Sequence, residues 1–401
     1  MYKRELYLKK LRPFYQNEQI KILTGVRRAG KTELLKMVQE EIRKQFPDSL
    51  IQYISFELLE NRQYRNAPSL YSHLESCLDS EKWNFIFLDE IQFVDGWPEV
   101  VNSLKAKYRT VSIFLTGSNS DLLSEDKEQV LGGRTLSFRV MPFTFSEFHD
   151  YRKELFPAAP HSPEEDFNEY LQWGGFPLIF AVQDMANREI MLESIFDSIV
   201  LRDIVRRLKL KNFYNLERLL DYVISITGNY ISGRKICEHL AGGAAALSLP
   251  KVLEYLKAIG TSCLVDIVPR FDLLGLKVLE LNNKIYACDT SFVNYKKSLV
   301  SDLYGSLYET IVYHELVARG YQVRTGTIHG KEIDFVASKG SDRRYFQISY
   351  EINDGNRDRE FAPLKMISDN YPKYVISKDK VLLSDQGIIH QNIIDFLLSP
   401  M

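Results

Sequence analysis

The sequence predicts an α/β protein built on a parallel sheet, and three observations carry that prediction. Short, nearly continuous apolar runs alternate with amphipathic helical stretches through the first third of the chain. Strands apolar on both faces belong in parallel sheets covered by helices on each side. Polar residues gather where the runs end: from Gly25 onward, at Asp89–Glu90 and at Thr116–Ser120. Ligands of such sheets bind at the carboxyl ends of the strands, so the three endings belong to one site.

The elements follow in order. Residues 1–20 read as a short helix, with Leu6, Leu8 and Leu11 among charges. "IKILTG" (20–25) is a strand that runs into a glycine turn. Leu34, Leu35, Val38, Ile42 and Phe46 then recur at helical spacing. "LIQYISFE" (50–57) is a second strand, "SLYSHLESCLDS" a helix, and "NFIFLDE" (84–90) a third strand with carboxylates at its end. "GWPEVVNSLKAKY" is a helix, "VSIFLTGSNS" (111–120) a fourth strand, and "TLSFRVMPF" (135–143) a fifth.

From about 144 the alternation is lost. "FPAAPHSPEED" (156–166) is a Pro-rich joint, and 164–225 reads as mostly helical. Helix "GRKICEHL", the small-residue stretch "AGGAAALSLP", helix "KVLEYLKAIG" and the strands "CLVDIVPRF" and "KVLELNNKIYAC" follow. That is the order of a winged helix-turn-helix. Residues 288–401 are a separate compact α/β unit: helix "LYETIVYHELVARG", strands "YQVRTG", "EIDFVAS", "YFQISYEI" and "KYVIS", and a helix near 360–370.

The bulk numbers exclude several classes. The 401 residues carry a net charge of −2, with 45% apolar and 26% charged residues. This is a globular composition long enough for two or three domains. Overall charge cannot hold the chain on nucleic acid, which leaves only a local basic face. Cys77, Cys237, Cys263 and Cys288 lie far apart without a C-x-x-C pair, against a zinc site or a disulfide framework. "MYKRELYLKK" puts charges where a signal peptide needs an apolar core. No run approaches the roughly 18 apolar residues that span a bilayer. The expected setting is the cytoplasm, with no membrane partner.

"GVRRAGKT" matches G-x-x-x-x-G-K-[ST] at Gly25, Gly30, Lys31 and Thr32. Glycines let successive N–H groups curl toward one point and form an anion nest. The following helix adds its positive N-terminal end. Gly25, Val26, Arg27, Arg28, Ala29, Gly30, Lys31, Thr32 and Glu33 are therefore the expected nucleotide-binding stretch. Lys31 reaches the β- and γ-phosphates and the Thr32 hydroxyl holds Mg2+. Asp89, at its strand end, binds the magnesium through water, and Glu90 is placed to polarise the attacking water. Ser118 and Asn119, ahead of Thr116, are the polar tips that reach the γ-phosphate or that water. Arg27 and Arg28 face nucleotide or a neighbour, or pair with Glu57 or Glu60.

Together "GVRRAGKT", "FLDEIQFVDGW", "LTGSNSDLLS", "LGGRTLSFRVMPFTFSEF", "GGFP", "IVLRDIVRR" and the tail "GSLYETIVYHEL…EIDFV…QISYEI…YPKYVIS" resemble the AAA-type ATPases of bacteria and archaea that carry a C-terminal domain of uncharacterised function. The resemblance implies a P-loop AAA-type ATPase domain (1–150), a helical lid (151–225), a winged helix (226–287) and a PD-(D/E)XK nuclease-like domain (288–401). Arg134 matches the family's arginine before the last strand and joins Glu90, Lys31 and Asn119 in the expected catalytic set. Arg202, Arg206 and Arg207 are candidates for an arginine finger, supplied in cis or by a neighbour.

In the tail, Glu309 and Asp334 match the nuclease carboxylates, but the third motif falls at Gln347-Ile348-Ser349. Glutamine is a weak metal ligand and serine supplies no cation, so the nuclease site is expected to be inactive. Lys331 or Lys373 replaces the missing lysine only if the fold brings it in. The reading is a protein that hydrolyses ATP with Mg2+ to drive conformational change in its appended domains. An ATP-gated DNA-binding protein or nuclease, and a nucleotide-holding interaction module, are the alternatives. DNA, a protein client and the subunit number stay open.

Overall fold

Two units of structure divide the chain, Met1–Val140 with Thr261–Cys263, and Met141–Gly260 with Leu264–Met401. The computed structural model describes residues 2–157, 161–182, 184–211, 213–241, 247–297, 303–381 and 383–399. Parts of the Pro-rich joint (158–160) and of the small-residue stretch (242–246) lie outside the described residues.

The first unit runs α1 (Glu5–Leu11), β1 (Ile20–Thr24), α2 (Lys31–Gln45), β2 (Leu50–Ser55), α3 (Ala67–Ser76), β3 (Asn84–Asp89), α4 (Trp97–Lys107), β4 (Val111–Thr116), α5 (Glu125–Leu131) and β5 (Thr135–Arg139). Its five strands pair only in parallel, in the order β2-β3-β4-β1-β5. Every residue of β1, β3 and β4 is buried, as continuous apolar runs require. Ile22, Ile86, Leu88, Ile113 and Leu115 pack with Leu70, Leu74, Val101 and Leu104 of α3 and α4. Each such side chain contributes about 1.5–3 kcal/mol when fully buried. Because β1 lies between β4 and β5, the chain leaves β1, crosses to the far edge and returns. The carboxyl ends of β1, β4 and β3 are thereby brought side by side at the switch point of the sheet.

The strand "IKILT" hides one charge. Lys21 is fully buried, and its Nζ donates to Ser112 Oγ at 2.7 Å and to the Gln19 carbonyl at 2.9 Å. Ser112 Oγ in turn donates to the Tyr15 carbonyl at 2.5 Å. The amine thus ties β1 to β4 at the end of the sheet away from the glycine turn. Burial, with a further push from Lys105, drives its pKa down to about 6.

The second unit opens with helices. Phe143 is held by the Gly175 carbonyl, which its N–H meets at 2.8 Å, and by the Tyr170 hydroxyl, also at 2.8 Å. These contacts place the end of the predicted fifth strand with the helices. Then come α6 (Phe145–Leu155), α7 (Pro163–Trp173), α8 (Pro177–Phe180), α9 (Met185–Ile199), a π-helical turn at Val200–Val205, and α10 (Tyr214–Ser225). Capping boxes Thr144/Glu147 and Ser162/Glu165 start α6 and α7.

Next in order are α11 (Gly233–Leu240), α12 (Leu249–Thr261), β6 (Val265–Asp272), β7 (Lys277–Ala287), α13 (Thr290–Lys297), α14 (Tyr304–Ala318), β8 (Gln322–Ile328), β9 (Lys331–Lys339), β10 (Asp342–Ile348), α15 (Arg357–Lys365), β11 (Lys373–Ser377), β12 (Ile388–Asn392) and α16 (Ile393–Leu398). Two helices and a hairpin thus follow one another as read. The hairpin does not stand alone, however. Arg270–Asp272 of β6 pair in parallel with Thr325–Thr327 of β8. One seven-stranded sheet results, in the order β12-β11-β10-β9-β8-β6-β7. A two-stranded ribbon leaves unpaired N–H and C=O groups along its edges, and β8 covers one of them. β12 and α16 add to the reading of the tail. All four cysteines are free. Among the described residues no helix is long and apolar enough to cross a membrane.

Lys21 yields a test of the first unit. With a folded pKa of about 6 against ~10.4 unfolded, the unfolded chain binds the extra proton between those values. Its contribution to stability therefore rises with pH through that window and levels off above it. In urea melts compared between pH 7 and 9, Lys21→Met should lose this rise, which is at most about 1.4 kcal/mol per pH unit. Equal slopes in the two proteins would contradict the assignment.

Candidate active site

β1 delivers Gly25 at φ +139°, where an added Cβ would stand 2.1 Å from the Val140 carbonyl oxygen. Arg28 (φ +69°) and Gly30 (φ +91°) are left-handed, and Gly30 caps α2. Such alternation points main-chain N–H groups into one concavity, and α2 aims its positive end at it. Lys31 is buried, with Nζ donating to the carbonyls of Gly25 at 2.9 Å and Val26 at 3.0 Å. Arg4, fully buried just before α1, donates to the Ala29 carbonyl at 2.8 Å. Nothing in the sequence singled out Arg4, because an arginine at a helix start reads as solvated.

The other loop residues sort themselves around this nest. Val26 and Ala29 are buried beneath it and Arg28 is exposed. Arg27 is buried and ion-paired with Glu57, one of the two partners left open by the sequence. Glu33 turns outward and pairs with Lys36 at 2.7 Å.

The end of β3 meets the loop through Asp89. Thr32 Oγ1 lies 3.1 and 3.2 Å from its two carboxylate oxygens. Tyr53 donates to Asp89 Oδ2 at 3.2 Å, and Thr116 Oγ1 to Oδ1 at 2.5 Å. Thr116 also accepts from the Glu90 N–H at 2.9 Å. Glu90 is buried and left-handed (φ +57°), and its Oε2 accepts from Gln92 Nε2. Gln92 Nε2 further reaches Ser118 Oγ at 3.4 Å. Of the polar residues ending β4, Thr116 is thus the one bonded to Asp89, while Ser118 and Asn119 belong to the turn beyond it. Gln92 was absent from the sequence reading, since a glutamine two residues past an acid pair follows no recognised spacing. A hydroxyl and a carboxylate about 3 Å apart are ligands that magnesium takes. Thr32 and Asp89 therefore fit that ion.

An AAA domain matches residues 17–149, and a domain of unknown function (DUF8612) matches 164–302. An uncharacterized protein of Haemophilus influenzae is 31% identical over 379 residues, covering 94% of this chain and 93% of that protein. An uncharacterized protein of Methanocaldococcus jannaschii is 30% identical over 352 residues, 85% and 77% of the two chains. The chain belongs to this family of AAA-domain proteins. The Walker-type ATPase of Pyrococcus abyssi has the same fold, with a TM-score of 0.54 at 16% identity over 74% of this chain and 96% of that one.

In the AAA domain Arg134 does not join the cluster expected of it. It is exposed, and its carbonyl accepts from the N–H of Ile20 at 2.7 Å. Ile20 opens β1 and Gly25 follows its end, so five strand residues separate the two positions. At a rise of about 3.3 Å each, that is on the order of 16 Å. This geometry sets the Arg134 backbone at the end of the sheet opposite the phosphate loop of its own chain. Arg202 lies on the π-helical turn of the second unit, with Arg206 and Arg207 exposed just after it.

Glu309 of α14, Asp334 of β9 and Gln347 of β10 do meet, lining one cavity of about 950 Å³. Neither lysine weighed from the sequence fills the gap. Lys331 is exposed on the lining, and Lys373 donates to the Asp369 carbonyl at 2.6 Å. Instead Lys284 of β7 enters, buried, with Nζ 2.9 Å from Glu309 Oε2 and 3.2 Å from Asp334 Oδ1, and also paired with Glu332. Burial alone would lower its pKa, but the surrounding carboxylates, Glu309 foremost, hold it well above the usual lysine range. Three acids around one ammonium leave surplus negative charge. Burial, then the charge of Glu309, accordingly pushes Asp334 well above the ordinary carboxyl range.

Thr116 offers a check on the acid pair. Thr116→Val leaves a buried N–H and a buried carboxylate each short of a partner, a loss of about 1–3 kcal/mol. Denaturant melts should show that loss and its recovery in Thr116→Ser. Equal stability of the valine and wild-type proteins would contradict the network.

Proposed function

We propose that the chain hydrolyses ATP at this loop and that the cycle moves its appended domains, the helical lid, the winged helix and the nuclease-like tail. The observation that carries the reading is the junction of Thr32, Asp89 and Glu90 at the mouth of the amide nest. The nest and the start of α2 bind the phosphate oxygens. Lys31, parked on two loop carbonyls, exchanges them for phosphate oxygens when nucleotide enters. Thr32 and Asp89 would hold magnesium, which when bound neutralises charge developing on the phosphates. Glu90, kept in place by Gln92, orients the attacking water and takes its proton on a carboxylate oxygen. Asn119, in the turn after β4, is proposed to contact the γ-phosphate. Arg134, at the far end of its own sheet, serves a nucleotide only across a boundary with a second copy of the chain.

A DNA-dependent reading draws on the exposed Arg206, Arg207, Lys209 and Lys211 that follow the π-helical turn. Cations so clustered suit phosphates and would give salt-dependent binding. A module that holds nucleotide without turnover gives no task to a buried, oriented Glu90.

Steady-state ATP hydrolysis measured with and without duplex DNA separates these readings. Glu90→Gln should lower turnover by at least about 100-fold while nucleotide affinity is kept. Lys31→Ala should lose affinity as well. Turnover untouched by Glu90→Gln would overturn the assignment, and stimulation by DNA that fades with salt would move the client toward nucleic acid.

A further inference from the structure

The resemblance of the tail to PD-(D/E)XK nucleases implies a divalent cation between Glu309 and Asp334. The residues present do not fit that ion. Lys284 Nζ lies within hydrogen-bonding reach of Glu309 Oε2 and Asp334 Oδ1 and is paired with Glu332. Three of the four oxygens of these two carboxylates already face the ammonium or another donor. Glu309 Oε2 also accepts from the Tyr286 hydroxyl at 3.0 Å, and Asp334 Oδ2 from the Ile348 N–H at 2.8 Å. Gln347 turns its amide nitrogen to Glu360 Oε2 at 3.1 Å and leaves a buried oxygen without a partner. That neutral oxygen and Glu309 Oε1 are far short of the oxygen shell that magnesium or manganese demands. Among the described residues no three His, Cys, Asp or Glu side chains are grouped to hold a metal ion.

We infer that Lys284 is a resident cation that takes the metal's place, turning the pocket into a metal-independent ionic clasp that does not cleave phosphodiesters. Three features support the clasp. The ammonium comes from β7, at one edge of the seven-stranded sheet, while its partners come from β9 and α14. β6 and β8 pair over only three residues, so the hairpin is loosely joined through the backbone there and Lys284 supplies a second tie. The lining carries Glu309, Glu332, Asp334, Glu351 and Glu360 against Lys331 and Arg359, with Lys284 consumed by the acids. Without a divalent ion such a lining repels a phosphate backbone.

The experiment uses the full-length, nucleotide-free protein and Mn2+ as the probe, read by thermal melting. Lys284→Met should melt several degrees below wild type and regain much of that loss in millimolar Mn2+, as a divalent ion fills the vacated place. Lys284→Met/Asp334→Asn should not regain it. The response of wild type to Mn2+ should be the same as that of Asp334→Asn, which cancels any contribution from the nucleotide site. Three results would overturn the inference. One is a stabilisation of wild type by Mn2+ that Asp334→Asn removes. Another is Mn2+-dependent cleavage of a labelled oligonucleotide that Asp334→Asn abolishes. The third is a Lys284→Met protein as stable as wild type and indifferent to Mn2+. Should Lys284→Met fail to fold, the comparison of wild type with Asp334→Asn decides by itself.

Discussion

One carboxylate organises the first unit. Asp89 accepts from a hydroxyl of α2, a phenol of β2 and a hydroxyl of β4, so three elements are drawn together at the end of β3. A buried carboxylate with these donors has a fixed orientation, and one left without them would carry a large desolvation penalty. The sheet order makes the convergence unavoidable, because β1 and β3 flank β4 and all three end at the same level. The phosphate-binding curl of amides and the acid pair are therefore consequences of one topology.

Much of this was legible in the sequence because it depends on local patterns. The apolar runs gave all five strands of the first unit, and the glycine spacing gave the loop with its left-handed Gly30. What escaped depends on register between distant segments. Thr116 reaches Asp89 because β4 ends where it does against β3. Arg134 was assigned to the site by resemblance alone, as the family's arginine before the last strand. In a parallel sheet, the residue before a strand sits at the opposite end from the residue after its neighbour. Arg4 and Gln92 were invisible for a related reason: no motif marks a residue whose work is to hold another in place.

The second unit shows the same limit more sharply. Most of its helices and strands were read from the sequence, α6, α13, β12 and α16 excepted, and Glu309, Asp334 and Gln347 were placed together by resemblance alone. The departure from the nuclease pattern, Gln-x-Ser, was also plain. Its replacement was not, since Lys284 lies 50 residues before Asp334 along the chain. A lysine directly before the apolar run "IYAC" is the one hint, and it becomes meaningful only when β6 and β7 are seen to extend the C-terminal sheet. The hairpin thus serves two neighbours, the helices before it and the sheet after it.

The central claim is that Asp89 and the amide nest form a single binding site for a magnesium-bound polyphosphate. Titration calorimetry of ATP into the protein, with magnesium and with a chelator, and repeated on Asp89→Asn, tests it most directly. The account predicts saturable binding that magnesium tightens in wild type, with the magnesium effect lost in Asp89→Asn. No heat of association, or a magnesium effect that survives the substitution, would contradict it.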